Sequence, residues 1–262
     1  MSYCGDMGRR DTSKSEGAAA DFGYRRVTAA EKTRLVHEVF DRVASRYDLM
    51  NDLMSAGIHR RWKANLVDRL APQPGETVLD LAGGTGDVAA RLSARAGKAG
   101  RAIVCDINER MVVKGRDRAI DRGAMGTILW LVGDAESLPL AAASVDACTI
   151  AFGLRNVTHI DRALSEVRRV LKPGGRFLCL EFSRVEGPLL RRVYNLYSFA
   201  ILPRLGEVVA RDRDAYQYLV ESIRRFPPQR ELATMMRQAG FEQVGWRNLS
   251  GGIAALHAGW KL

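Results

Sequence analysis

One stretch limits what this chain can become: Thr77-Val-Leu-Asp-Leu-Ala-Gly-Gly-Thr-Gly-Asp87. The apolar run Thr77 to Ala82 reads as a buried strand. Gly83, Gly84 and Gly86 break it, and Val88 to Leu92 begin a helical pattern. The product is a strand, a tight turn and a helix N-terminus, with glycines that let backbone N–H groups approach a ligand. A second apolar run, Ala102 to Cys105, ends at Asp106, twenty residues beyond Gly86. An acidic residue at that place can accept both hydroxyls of a ribose. Asp80, Ala82, Gly84 and Gly86 step by two, unlike the G-x-G-x-x-G of dinucleotide folds. The turn is therefore not a match to the diphosphate loop of those folds.

From Thr77 onward strand and helix patterns alternate. Strands are expected near 77–82, 101–105, 128–132, 145–151 and 176–182, and helices over 87–95, 109–122 and 160–171. Such alternation predicts an α/β fold with a parallel sheet covered by helices on both faces. Ligands of such sheets sit at the carboxyl ends of the strands. Gly133-Asp134-Ala135, Phe152-Gly-Leu-Arg-Asn156 and Glu181-Phe-Ser183 fall at those ends.

The flanks divide the chain further. Residues 1–26 are rich in Gly, Ser, Ala and mixed charge and predict a disordered tail. The rest, 27–262, is expected to be a single domain. Within it, 27–71 supply helices on the substrate side. Thr28-x-x-Glu31 is a capping box opening an amphipathic helix through Leu35, Val36, Val39, Phe40 and Val43. Tyr47 to Trp62 mixes aromatic, amide, imidazole and guanidinium groups, suiting either a helical hairpin or one wall of a pocket. Residues 72–183 form the binding core. Residues 184–228 interrupt the alternation with arginines, tyrosines and two helical patterns, one through Leu189, Leu190, Val193 and Leu196. A solvated helical cover and a lid with a membrane-facing surface are both open readings. Residues 229–262 give a short helix, then two strands parted by Ser250-Gly251 that allow a closing antiparallel pair.

A net charge of +10 over 262 residues leaves solubility, nucleic acid and anionic membrane as candidate meanings. The four cysteines show no C-x-x-C pairing, and Cys105, Cys148 and Cys179 lie in strand-like runs, as core thiols in a reducing compartment would. The four histidines show no metal-ligand spacing. With no apolar run of membrane-spanning length and no signal-peptide core, a cytoplasmic protein is expected, with membrane association left open.

The turn, with Ala82 in the usual first-glycine place, resembles the first motif of S-adenosylmethionine-dependent methyltransferases. Tyr47-Asp-x-Met-Asn51 through Ser55, His59 and Trp62 is similar to the signature of the ubiquinone/menaquinone biosynthesis C-methyltransferases. So are Arg169-Val-Leu-Lys-Pro-Gly-Gly175 running on to Glu181-Phe-Ser183, and Phe152-Gly-Leu-Arg-Asn156. The resemblance spans residues 22–262. It implies a Rossmann-like seven-stranded, mostly parallel sheet with its last strand antiparallel. It also implies S-adenosylmethionine as donor and a polyprenylated benzoquinol or demethylmenaquinol as acceptor. Asp80, Gly83, Gly84 and Gly86 of the turn are candidate donor contacts. The resemblance adds Thr85, Asp106 with Ile107, Asp134 with Ala135, and Ala151, where the family usually has Asn for Asp134 and Ser for Ala151. A homodimer or a quinone-synthesis complex, and peripheral contact with an anionic membrane, are the expected associations; nucleic acid is not.

Carbon methylation needs an electron-rich ring, so the site must stabilise a phenolate and remove its proton. Arg155 is the candidate phenolate partner, unless it serves a salt bridge; guanidinium is a poor base. His59, or a water held by Asn156 and Tyr47, is the candidate proton acceptor, with a capping or core histidine as the alternative for His59. A nucleic-acid methyltransferase is disfavoured, since no Asn-Pro-Pro-aromatic motif follows the fourth strand and no cysteine sits in a nucleophile loop. A dehydrogenase would want Tyr-x-x-x-Lys, which is absent. A methyltransferase of another small molecule or RNA, or a non-catalytic donor-binding scaffold, remains as the alternative reading.

Overall fold

Apolar residues alternate along the strand Thr77–Leu81, and each parity buries against a different layer. Val78 packs with Leu66, Leu92, Leu178 and Leu180 on one face of the sheet. Leu79 and Leu81 pack with Ile103, Ile150, Leu164 and Phe177 on the other. This is the arrangement in a computed structural model of the chain, which describes residues 19–43, 52, 55, 57–97, 99–121, 123, 128–197 and 213–262.

In chain order the described elements are β1 (Ala19–Phe22), β2 (Arg25–Thr28), α1 (Ala29–Val43), α2 (His59–Leu70), β3 (Thr77–Leu81), α3 (Asp87–Ala96), β4 (Arg101–Asp106), α4 (Glu109–Asp121), β5 (Ile128–Val132), β6 (Val145–Ala151), α5 (Ile160–Val170), β7 (Leu171–Phe182), α6 (Pro188–Leu196), α7 (Arg213–Arg225), α8 (Gln229–Gln238), β8 (Glu242–Leu249) and β9 (Ala254–Trp260). A 3₁₀ turn, Leu154–Asn156, follows β6. Strands β3 to β9 form one seven-stranded sheet in the order β5-β4-β3-β6-β7-β9-β8. All neighbours are parallel except β9, which runs antiparallel to both β7 and β8. The strand order reverses direction at β3, between β4 and β6, so a crevice opens at the carboxyl ends of β3, β4 and β6.

Local signals account for much of this. Thr28 Oγ1 accepts the Glu31 N–H at 3.2 Å, so the capping box does open α1. In α5, Ala163, Leu164, Val167 and Val170 are buried along one helical stripe. Cys105, Cys148 and Cys179 are all buried core thiols, and burial pushes Cys105 up to about 12.

Two expectations are corrected. The tail does not run to residue 26: β1 and β2 form an antiparallel hairpin from Ala19 to Thr28. It is held by the Phe22 ring stacked on Tyr218 of α7 at 4.1 Å and by the Tyr24 N–H donating to Glu221 at 3.0 Å. The strand expected at 176–182 begins at Leu171, directly after α5, because Leu171 already pairs with Val145, and Gly174 and Gly175 bond to Lys261. The insertion does contain two helices, yet they differ. On α7, Tyr216, Leu219, Val220 and Ile223 are buried. On α6, Leu189, Val193 and Leu196 are more than half exposed, and Tyr194 is its one buried residue.

Candidate active site

The turn after β3 satisfies its own backbone. Gly83 N–H donates to the Cys105 carbonyl, Gly84 N–H to Asp106 Oδ2 at 2.8 Å, and Gly86 N–H to the Gly83 carbonyl. These amides are spent inside the turn, contrary to the expectation that they face a ligand. Glycine is required here for space. A Cβ on Gly83 would stand 2.8 Å from Asp80 Oδ2. Ala82 takes the left-handed conformation, φ 50°, without being glycine.

Asp80 lies beneath the turn, 1% exposed. Its carboxylate accepts the Ala89 N–H at 3.1 Å, anchoring the start of α3, and the Thr149 hydroxyl at 3.0 Å. Burial pushes its carboxyl up to about 7, against the hydrogen bond from Thr149 and the nearby Lys63 cation. Asp106 closes β4. Its Oδ1 accepts the Asn108 N–H at 2.9 Å while Oδ2 holds Gly84. Burial raises this carboxyl as well, opposed by those two amides. Asp134 is exposed and turns its own loop, accepting the Glu136 N–H at 2.9 Å, while the neighbouring Ala135 is buried.

Asp106, Ile107, Asp134, Ala135 and Gly84 line one cavity with Phe152 and Asn156. The wall opposite the sheet is α1, which contributes Thr33, Val36, His37 and Phe40. Residues 27–71 are expected to supply substrate-side helices, but these four are not among the lining residues read from the sequence; polar Thr33 and His37 beside the amphipathic stripe are the signal. Side-chain bonds help fasten the helix: Lys32 Nζ donates to the Val157 carbonyl at 2.9 Å, and Asn108 Nδ2 donates to Asp41 at 2.8 Å.

Phe152 ends β6 in a left-handed conformation, φ 59°, and packs with Phe182 and Trp62 at centroid distances of 4.8 and 6.2 Å. The next residue must be glycine, since a Cβ on Gly153 would stand 2.5 Å from the Ala82 methyl. The strand ends thus meet with almost no side chain between them. Arg155 does not line the cavity. Its side chain is 1% exposed behind the wall, with Nη1 donating to Glu181 Oε1 at 2.7 Å and to the Phe152 carbonyl. The guanidinium also lies over the Phe182 ring. The salt-bridge alternative is therefore what the geometry displays, because the phenolate reading needs a guanidinium that reaches the cavity. Asn156 does line it, and its Oδ1 accepts the Tyr218 hydroxyl at 3.1 Å. Sequence reasoning missed Tyr218, which lies in the insertion.

His59 sits elsewhere. Its Nδ1 is 3.0 Å from Ser55 Oγ, and it borders a separate recess with Thr85 and Gly86. Burial, then the Lys63 cation, lowers its pKa, favouring neutral imidazole. Thr85 also borders a second recess, with Ala151 and Asp80. Tyr47 lies outside the described residues. Among the described residues no cluster of His, Cys, Asp and Glu could hold a metal, and no helix is long and apolar enough to cross a membrane.

Comparison with known proteins adds sequence and fold relatives. The model of the ubiE/COQ5 methyltransferase family matches residues 27–261. A protein of Paracoccus denitrificans is 57% identical over 241 residues, covering 92% of this chain and 96% of its own length. One from Brucella anthropi is 54% identical over 248 residues, covering 94% of each. Both bear the name ubiquinone/menaquinone biosynthesis C-methyltransferase UbiE. Among solved structures, a SAM-dependent methyltransferase from Aquifex aeolicus superposes with a TM-score of 0.56 at 19% identity, covering 76% of this chain and 89% of that one. Another from Thermotoga maritima gives 0.57 at 23% identity, covering 87% of this chain and 100% of that one. These structures share the fold.

Proposed function

Because the chain belongs to the ubiE/COQ5 methyltransferase family, we propose that it methylates a ring carbon of a polyprenylated benzoquinol, demethylmenaquinol or both, in ubiquinone/menaquinone biosynthesis. It is a methyltransferase, and its donor is S-adenosylmethionine. One observation carries the reading of the cavity. Its described lining holds three carboxylates, Asp106, Asp134 and Glu136, and neither lysine nor arginine. Phosphates would be repelled there, whereas an uncharged nucleoside joined to a sulfonium fits.

Asp106 would accept the ribose hydroxyls with the lone pairs its two amides leave free, and Gly84 keeps that carboxylate uncovered. Asp134 and Ala135 would flank the adenine, Ile107 its face. The donor supplies an electrophilic methyl group; everything else falls to this chain. Asn156 is the group placed to meet the quinol oxygen. Tyr218 occupies its carbonyl, so the amide N–H₂ faces the cavity as a donor that stabilises developing phenolate charge. A water held at Asn156 would take the proton and pass it to solvent; Tyr47, its second partner in the sequence reading, lies outside the described residues. His59 stands on the far side of the turn and is a positioning residue in this scheme. Arg155 and Glu181 brace the 3₁₀ turn that carries Asn156. The apolar wall of Val36, Phe40 and Phe152 excludes water and suits a prenylated ring. The substrate is lipid-soluble, and the exposed Leu189, Val193 and Leu196 beside Arg191 and Arg192 suit peripheral contact with an anionic membrane.

Transfer of labelled methyl from S-adenosylmethionine to each quinol tests the activity, and a quinone profile of cells lacking the protein names the ring. Accumulation of a demethylated precursor is the expected result. An unchanged profile overturns the assignment.

A further inference from the structure

Lys63 is a buried cation that neither the turn motif nor the ring chemistry accounts for. It projects from α2 and is 6% exposed. A lysine is rarely so buried, because the desolvated ammonium is costly unless its hydrogens are taken up. One is: Nζ lies 3.0 Å from Asp87 Oδ2. Asp87 is shared, since its Oδ1 accepts Arg91 Nε at 3.2 Å. One carboxylate thus serves two cations. The remaining Lys63 donors border the small recess formed with Asp80, Gly83, Thr85 and Ala151. Ala82 walls both this recess and the main cavity. A ligand whose nucleoside lies against Asp106 would pass Ala82 to enter it.

The part of S-adenosylmethionine beyond the sulfonium is a zwitterionic amino acid. A recess holding carboxylates from Asp80 and Asp87 would repel its carboxylate unless a cation stood within it. Lys63 is the cation among the described lining residues, and Asp87 gives the recess negative charge for the ammonium. We propose that Lys63 anchors the carboxylate of the donor's amino-acid tail. The proposal rests on the donor being S-adenosylmethionine. It makes Lys63 a ligand-binding residue in addition to a pin between α2 and α3.

Calorimetry with two ligands separates those roles. S-adenosylhomocysteine carries the tail; 5′-methylthioadenosine has the same nucleoside without it. Lys63→Met should weaken S-adenosylhomocysteine about ten-fold or more, the scale of a lost charge-assisted hydrogen bond. It should leave 5′-methylthioadenosine unchanged. Equal weakening of both ligands, or of neither, overturns the proposal. Should Lys63→Met not fold, Lys63→Arg keeps the charge but alters its reach. That variant should shift S-adenosylhomocysteine affinity alone, and a parallel shift in both ligands again overturns the idea. Wild-type protein that binds 5′-methylthioadenosine but not S-adenosylhomocysteine contradicts the tail site and spares the nucleoside site. Binding of neither removes the donor reading itself.

Discussion

Asp106 spends one carboxylate oxygen on each of two backbone amides, Gly84 and Asn108. Truncation to Ala therefore loosens the turn that shapes the cavity and, on the proposed function, removes the ribose acceptor. Donor-product affinity measured by calorimetry should fall by more than the ~1 kcal/mol of an ordinary hydrogen bond, since a charged acceptor and two ribose hydroxyls are involved. Unchanged affinity would remove Asp106 from the ribose site. For Arg155 the buried pair with Glu181 sets the expectation. Arg155→Lys keeps the charge but loses the planar guanidinium whose Nη1 bridges Glu181 and the Phe152 carbonyl and whose face lies over the Phe182 ring. Turnover should drop at least ten-fold through misplaced Asn156, with donor affinity held; equal loss of both marks a purely structural residue. Arg155 and Asn156 are legible as neighbours in a motif. Strand order also puts Glu181 at a nearby strand end, but its bond to Arg155 and that of Tyr218 to Asn156, 26 and 62 residues apart, are tertiary contacts that pattern does not give.

At the scale of elements, α6 departs most from what its pattern suggests. Leu189, Val193 and Leu196 recur at helical spacing, as a core helix would have them, yet they face solvent. Periodicity reports that a helix has an apolar side; it does not report what covers that side. Arg191 and Arg192 are exposed beside it. Reversing both to Glu should reduce sedimentation with anionic vesicles several-fold, given roughly 1 kcal/mol for each basic residue near such a surface. Retention of full binding would show that another face makes the contact. The hairpin of β1 and β2 is the opposite case. Its strands are four residues each and carry mixed charge. Their stability comes from the Phe22–Tyr218 stack, a tertiary contact that composition conceals. By contrast, β3, β4 and β6 are readable because each is an apolar run with residues buried on both faces.

The whole molecule integrates two buried titrations of opposite sign. Asp80 is raised from 3.8 to about 7, chiefly by burial. The fold therefore binds its proton more tightly than the unfolded chain, and the stability this gives is lost as pH rises toward 7. His257 is lowered from 6.5 to about 4, again by burial. It is neutral in the fold, so its contribution is lost as pH falls through that range. The two slopes oppose each other. Asp80→Asn should leave a melting temperature that climbs between pH 4 and 6.5, whereas His257→Asn should leave one that declines toward pH 7. Identical profiles for both variants would show that neither group governs the acid response. The order of the sheet carries a different consequence. β9 is synthesised after β8 yet lies between β8 and β7. On the ribosome, β8 emerges with no neighbour to receive it. It must wait, edge bare, until Ala254–Trp260 clear the exit tunnel, so a nascent chain stalled before that point exposes two unpaired strand edges to chaperones or to other chains.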